Sequence, residues 1–188
     1  RPLAPSVDWG DEPPAFSPLQ PDGGARFKRG RLIHALLQHL ADADQGARAP
    51  MAAAYLARGA LALTPAERDE IASATLAVLN DPEFAPLFGP GSRAEVPLVA
   101  AVGEHLVSAR LDRLLVEPEA VTVAEFKTNR APPADADAVP VAYLRQMAVY
   151  REALRQLFPE KRVRCALLWT DVPHLMTLPE PLLDAQLP

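Results

Sequence analysis

The chain has 188 residues, of which 49% are hydrophobic, enough for one domain with a substantial core. Its formal net charge of -5 argues against a surface that attracts nucleic acid as a whole, although local basic groups remain. The single cysteine, Cys165, excludes a disulfide framework, a cysteine-rich structural zinc site and an iron–sulfur cluster held by four cysteines.

The first part of the chain is predicted to be an extended arm or linker over residues 1–25, because it is rich in proline, glycine and aspartate and has no apolar period. It lacks an initiator methionine, as expected for a piece of a longer polypeptide. No G-x-x-x-x-G-K-[ST] phosphate loop occurs, so we expect no ATP site here. There is no secretory leader and no run of the roughly twenty apolar residues that a membrane span needs, so we expect a cytoplasmic protein.

The first helix is predicted over residues 30–40, where apolar residues recur at positions 33, 36, 37 and 40. His34 borders this stripe, and a histidine in such a place is more often a core residue than a metal ligand. Basic residues that can hold phosphates gather before and within the helix. They are Arg26, Lys28, Arg29 and Arg31.

Two further helices are predicted over residues 51–63 and 65–79. The second begins with Thr64 and Glu67, which are spaced so that the threonine caps the helix and the glutamate reaches back. A short helix is expected to start at Asp81. These helices are expected to cover the catalytic part of the fold.

A three-stranded meander is predicted over residues 93–102, 105–117 and 120–127. Asp112 lies in the apolar second strand, where an unpaired carboxylate costs roughly several kcal/mol or becomes neutral. Its partner could be Arg110 or Arg113. The alternative is a cation shared with Glu125, which the hairpin turn would bring onto the neighbouring strand.

The third strand ends in Glu125, Phe126 and Lys127, and lysine is rare in this chain. Side chains alternate along a strand, so Glu125 and Lys127 share one side while Phe126 faces the core. A carboxylate there can hold a divalent cation, and an ammonium beside it can offset charge on a phosphate. An isolated E-x-K triplet is nevertheless more often a surface ion pair.

A polar loop over residues 131–140 is followed by a predicted amphipathic helix over residues 143–158. Gln146 and Tyr150 lie four residues apart on it and therefore on one face. Arg145, Arg151 and Arg155 on the same helix could hold phosphates or simply form a solvated face. Cys165 lies in a predicted buried strand over residues 162–170 and is expected to pack there.

The order of these motifs resembles the RecB-like branch of the PD-(D/E)XK nuclease superfamily, and more narrowly the C-terminal nuclease domains of AddA-type helicase-nuclease subunits. The motifs are G-R-L-I-H, a strand with Glu95, R-L-D-R, E-F-K-T-N-R and Q-M-A-V-Y-R. The missing cysteines favour AddA-type over AddB-type subunits, some of which hold an iron–sulfur cluster.

The resemblance implies a role for each matching residue. His34, Asp112, Glu125 and the main-chain carbonyl of Phe126 fall on metal-ligand positions, and Lys127 falls on the catalytic lysine. Further matches are Gln146 and Tyr150, which in the family contact the DNA strand, and Glu95, an additional acid. The family usually has aspartate where Glu125 stands. One imidazole among oxygen ligands makes Mn²⁺ plausible beside Mg²⁺.

We therefore expect residues 26–188 to form an α/β domain with a restriction-endonuclease-like central mixed sheet flanked by helices and a metal site at the edge of the sheet. The expected activity is metal-dependent hydrolysis of single-stranded DNA by an exonuclease, with Arg31 contacting the DNA. Expected partners are an upstream helicase portion of the same polypeptide and an AddB-type subunit. One alternative is a catalytically silent domain that binds DNA ends or a partner, and another is a purely structural module.

Overall fold

A computed structural model describes residues 23–127, 132–170 and 172–187, with side chains from residue 28 onward. Its centre is a five-stranded mixed sheet whose strands keep their chain order. The first three strands form an antiparallel meander, the third and fourth are parallel, and the fourth and fifth are antiparallel. The strands are β1 (Ser92–Val102), β2 (His105–Val116), β3 (Ala120–Lys127), β4 (Arg162–Trp169) and β5 (His174–Thr177).

Helices cover both faces of the sheet, which confirms the predicted α/β class. One core lies between the sheet and the last two helices, and the other lies between the sheet and the first three. The helices are α1 (Gly23–Leu40), α2 (Gln45–Leu56), α3 (Pro65–Asn80), α4 (Val141–Leu157) and α5 (Glu180–Asp184). Three-residue to four-residue 3-10 turns lie at Gly59–Leu61, Ala85–Phe88 and Ala136–Ala138. The predicted arm falls outside the described residues as far as residue 22.

The α3 helix begins as its sequence predicts. The Thr64 hydroxyl accepts the Glu67 amide at 3.3 Å, and the Glu67 carboxylate accepts the Thr64 amide at 2.7 Å. This reciprocal pair supplies partners for two backbone groups that the helix itself leaves unsatisfied. Strand β3 and helix α4 also lie close to their predicted positions.

The predicted bounds of the second helix, residues 51–63, are wrong. Helix α2 runs from Gln45 to Leu56 and includes Pro50. The Asp44 carbonyl starts it by accepting the Ala47 amide at 2.8 Å. Arg48 then anchors the first turns by donating to the Leu79 carbonyl at 2.6 Å. That contact joins α2 to the end of α3, and no local sequence pattern predicts it.

The predictions for Arg151 are also wrong. Its side chain neither faces solvent nor is available to bind phosphates. Its side chain is 0% exposed, and it donates to the Glu180 carbonyl at 3.0 Å and to the Asp184 carboxylate. Arg155, one turn further along α4, pairs with Glu180 at 3.2 Å. The last part of the chain, β5 and α5, was not predicted, and these arginines hold α5 against α4. Cys165 is buried in the core, as expected.

The sheet contains a fork between its second and third strands. Their pairing extends over only four positions, from Arg113 opposite Ala124 to Val116 opposite Val121. From there β2 continues along β1, while β3 continues along β4. Leu111 and Leu114 face the same core although they are three residues apart, so the alternation of β2 breaks between them. The break surrounds Asp112.

None of the helices in the described ranges combines the length and the apolar character that crossing a membrane requires.

Candidate active site at the sheet fork

Asp112 lies at the mouth of the fork, with one carboxylate oxygen toward each side. Its Oδ2 atom accepts the Phe126 amide of β3 at 2.7 Å, and its Oδ1 atom lies 2.9 Å from His34 Nε2. The Asp112 carboxylate thus accepts a β3 amide that has no backbone partner on β2, because β2 diverges from β3 at this point. The site is therefore inside the sheet, between two central strands, rather than at the predicted edge.

Neither Arg110 nor Arg113, the two arginines that could have paired with Asp112, forms an ion pair with it. Arg113 is 1% exposed and donates to the Leu87 carbonyl at 2.8 Å and to the Ser92 hydroxyl at 3.2 Å. Arg110 is largely exposed and its nearest acidic partner is Glu95, at 3.5 Å.

His34 reaches the fork from α1. Its ring packs edge-on against the Phe126 ring, with 5.5 Å between centroids, and its side chain remains 32% exposed. The hydrogen bond to Asp112 raises the pKa of His34, burial opposes this effect, and the charges of Asp112, Glu95 and Glu125 add to the rise. The imidazole is therefore more basic than an unperturbed histidine, and three carboxylates lie near it.

Glu95 completes a group of three potential ligands with His34 and Asp112. One ligand atom from each lies within 4.8 Å of the other two. His34 Nε2 is 3.6 Å from Glu95 Oε1. Glu95 also has a φ of 52°, in the left-handed region that residues other than glycine rarely adopt. Imidazole and carboxylate ligands gathered in this way suit a divalent ion of the Mg²⁺ or Mn²⁺ type.

Glu125 and Lys127 share one side of β3, as predicted. Lys127 Nζ lies 3.7 Å from Glu125 Oε1, and both side chains are almost fully enclosed, at 10% and 12% exposure. The pair faces α4, whereas the Phe126 ring packs on the opposite face of the sheet with the first helices. An ion pair on an open surface, the alternative reading of the triplet, does not fit this enclosure.

Gln146 connects the acid and the amine. Its Oε1 atom accepts Lys127 Nζ at 3.1 Å, and its Nε2 atom donates to Glu125 Oε1 at 2.9 Å and to the Tyr150 hydroxyl at 2.9 Å. These contacts fix which end of the amide faces which partner, since only the nitrogen can donate. Gln146 and Tyr150 are 3% and 2% exposed, so both lie beneath the site rather than on its rim.

Glu125 carries an incompletely satisfied carboxylate. Burial, followed by the charge of Asp112, raises its pKa to about 7, while Lys127 and the Gln146 hydrogen bond oppose the rise. Its Oε2 atom is buried and has no hydrogen-bond partner among the described residues. A buried carboxylate oxygen without a partner is unusual, and a bound cation would supply one.

The residues therefore fit a divalent cation, with one difference from the ligand set that was expected. His34 and Asp112 lie together as expected, and Glu95 joins them more closely than Glu125 does. The Phe126 amide points toward Asp112, and in a strand the N–H and C=O of one residue point to the same side. The Phe126 carbonyl therefore faces the fork as well.

Arg31 is exposed on α1, three residues before His34, so the two side chains are neighbours on the helix surface. Arg29 pairs with Glu70 of α3 at 2.7 Å. Of the predicted basic group, Arg31 thus lies closest along the helix to the site.

A model of the PD-(D/E)XK nuclease superfamily matches residues 13–178. The chain belongs to the PD-(D/E)XK nuclease superfamily. No curated protein matches it significantly. Among solved structures, the crystal structure of SSO0001 is similar at 16% identity, with a TM-score of 0.37, over 85% of this chain and 82% of that one. That likeness is too distant to bear on function.

Membership of the PD-(D/E)XK nuclease superfamily indicates a metal-dependent nuclease, and His34, Glu95 and Asp112 form a group that could hold the metal. One residue that lies at this site was not identified from the sequence. Tyr143 places its ring 4.0 Å from Lys127 Nζ. It precedes Gln146 by three residues and Tyr150 by seven, so the helical spacing that joins the latter two includes it.

Proposed function

We propose that this protein is a Mg²⁺- or Mn²⁺-dependent exonuclease that hydrolyses phosphodiester bonds of single-stranded DNA. The observation that carries the proposal is the position of Asp112, which lies between an imidazole, a second carboxylate and the E-x-K strand at a fork in the sheet. A packed sheet gains nothing from gathering five ionisable groups there, whereas a cation site needs such groups.

His34, Asp112, Glu125 and the Phe126 carbonyl would hold the cation, and Glu95 is a further acid within reach. When bound, a divalent cation lowers the pKa of water and offsets negative charge on phosphate oxygens. Asp112 keeps its orientation because the Phe126 amide fixes one of its oxygens. His34 must give up its proton before it can act as a ligand.

Lys127 would stabilise the negative charge that develops on the scissile phosphate during attack by water. Its ammonium is held in a nearly closed pocket, so its position is set before the substrate arrives. Gln146 and Tyr150 would act from below by fixing Glu125 and Lys127, and direct contact with DNA falls to exposed groups such as Arg31. A phosphate beside Arg31 would lie near the exposed edge of His34.

We further propose that the domain is the nuclease part of an AddAB-type helicase-nuclease in double-strand break repair. The order of its motifs supports this. The partners would be the helicase portion of the same polypeptide and an AddB-type subunit. Cleavage of duplex DNA by such an assembly should require ATP, and duplex cleavage without ATP would contradict this placement.

The activity is tested by incubating the protein with end-labelled linear and with circular single-stranded DNA, with Mg²⁺, Mn²⁺ or a chelator. We expect metal-dependent loss of the linear strand only. Cleavage of the circle would show an endonuclease instead. Binding of DNA without cleavage in either metal would refute the proposed activity, and Asp112→Asn serves as the matched control for contaminating nucleases.

A further inference from the structure

The Lys127 ammonium rests on the face of an aromatic ring. Its nitrogen lies 4.0 Å from the centroid of Tyr143, at the start of α4. Lys127 is 8% exposed and Tyr143 is 5% exposed, so this contact is shielded from water. Attraction between a cation and an aromatic face is worth about 0.5–1 kcal/mol when exposed and ~2 kcal/mol or more when desolvated.

The ring is itself held in place. Trp169 of β4 lies directly beside Lys127 in the parallel pairing of β3 and β4. The Trp169 ring packs against Tyr143 with 6.2 Å between centroids and 54° between planes, and Trp169 is 1% exposed. Tyr143 therefore stands between the ammonium of one strand and the indole of the next, where its freedom to rotate is small.

The Tyr143 ring can hold the Lys127 ammonium in place in a way that its polar partners cannot. Lysine has a long flexible stem that carries ~2 kcal/mol of rotamer entropy, so one hydrogen bond to Gln146 fixes it poorly. A further carboxylate would hold the ammonium but would also neutralise it and repel Glu125. An aromatic face attracts the cation without bringing a net charge to the site.

We propose that Tyr143 is a positioning residue for Lys127, acting through its ring face rather than through its hydroxyl. The catalytic consequence rests on the proposed nuclease activity, whereas the contact itself does not. Tyr143 is not one of the three potential metal ligands, and its ring contacts Lys127 and Trp169. Its loss should therefore slow the chemical step and leave binding of metal and DNA unchanged.

The kinetic test compares Tyr143→Phe, which keeps the aromatic face, with Tyr143→Leu, which keeps only apolar bulk. Tyr143→Phe should retain kcat within about threefold, while Tyr143→Leu should lower kcat by roughly 10-fold to 30-fold, the range that ~1.5–2 kcal/mol implies. KM for single-stranded DNA and the Mn²⁺ dissociation constant should stay within about twofold in both variants. Equal kcat values for the two variants would overturn the proposal.

A second test does not depend on activity. The stability of the wild type, Lys127→Met, Tyr143→Leu and the double variant is measured by denaturant unfolding. Coupling between the two side chains should make the effects of Lys127→Met and Tyr143→Leu on stability non-additive. In the same cycle with Tyr143→Phe the effects should be additive, because phenylalanine keeps the aromatic face that contacts Lys127. Additive effects of Lys127→Met and Tyr143→Leu would refute the contact. If the wild type does not cleave DNA, the proposed activity fails while this cycle still decides the inference.

Discussion

Glu95 and Asp112 occupy opposing positions on β1 and β2 at the only step within these two strands where their regular pairing is interrupted. Every other step pairs regularly, from Ser92 opposite Leu115 to Val102 opposite His105. Glu95 adopts a φ of 52° there. Two carboxylates directly opposite each other on adjacent strands repel, and the contacts of the His34 imidazole with both carboxylates lessen that repulsion. A bound divalent ion would do so more effectively.

Two substitutions at Glu95 distinguish the effect of its left-handed backbone on stability from the effect of its carboxylate on metal binding. Glu95→Gly should be about 1 kcal/mol more stable than Glu95→Ala, because glycine adopts positive φ without steric cost. Both variants should bind Mn²⁺ equally weakly, since both lack the carboxylate. Denaturant unfolding and calorimetric titration measure the two effects. Unchanged Mn²⁺ affinity in both variants would remove Glu95 from the proposed metal site.

Asp112→Asn and Lys127→Ala should each abolish cleavage, for different reasons. Asparagine can still accept the Phe126 amide but lacks the negative charge that holds a cation, so Mn²⁺ affinity should fall with activity. Lys127→Ala should leave Mn²⁺ affinity within about threefold, because the ammonium offsets charge on the phosphate rather than on the ion. Cleavage at the wild-type rate by either variant would refute the role assigned to it, and circular dichroism checks that both remain folded.

Metal affinity should rise with pH. Both His34 and Glu125 have raised pKa values, the latter about 7, and a ligand must release its proton before it binds a cation. Mn²⁺ binding measured by calorimetry at pH 6, 7 and 8 should tighten and should release protons. Glu125→Gln should weaken this pH dependence without removing it, since His34 remains. A pH-independent affinity would contradict the proposal.

Stability of the metal-free protein should change in the opposite direction. Because both pKa values are raised in the folded state, the folded protein binds more protons than the unfolded chain between pH 5 and 8. The contribution of these groups is complete at low pH and is lost as the pH rises through their folded pKa values. Thermal melting in a chelator should therefore show a Tm that falls across this window, and added Mn²⁺ should reverse the loss. A chelator Tm that rises from pH 5 to 8 in the wild type but not in Glu125→Gln would contradict this.

Arg151 should matter for stability alone. Arg151→Met should lower the free energy of unfolding by ~2 kcal/mol, because the Glu180 carbonyl and the Asp184 carboxylate lose a buried donor. The matched control is Arg155→Met on the same helix, whose surface pair with Glu180 is worth at most ~1 kcal/mol. Denaturant unfolding measures both, and cleavage at 25 °C should be unchanged. Equal losses of stability in the two variants would contradict the assigned role of Arg151.

Local patterns were sufficient for the elements that depend on local interactions. Alternation and turn residues predicted the meander of β1 to β3, Thr64 and Glu67 predicted the start of α3, and the apolar spacing after residue 140 predicted α4. Each of these signals acts over a few residues, so it can be read without knowing what packs against it. The same local rule placed Glu125 and Lys127 on one side of β3.

The sequence by itself determined which ionisable groups the chain carries, their order and their spacing along each element. Only the tertiary structure decided where β2 and β3 part, that His34 rather than an arginine contacts Asp112, and that Tyr143 lies over Lys127. These contacts join residues far apart in the chain, and their geometry follows from how the helices pack against the forked sheet. Short-range preferences cannot encode that packing, because it is set by the total burial of side chains from all of these elements at once.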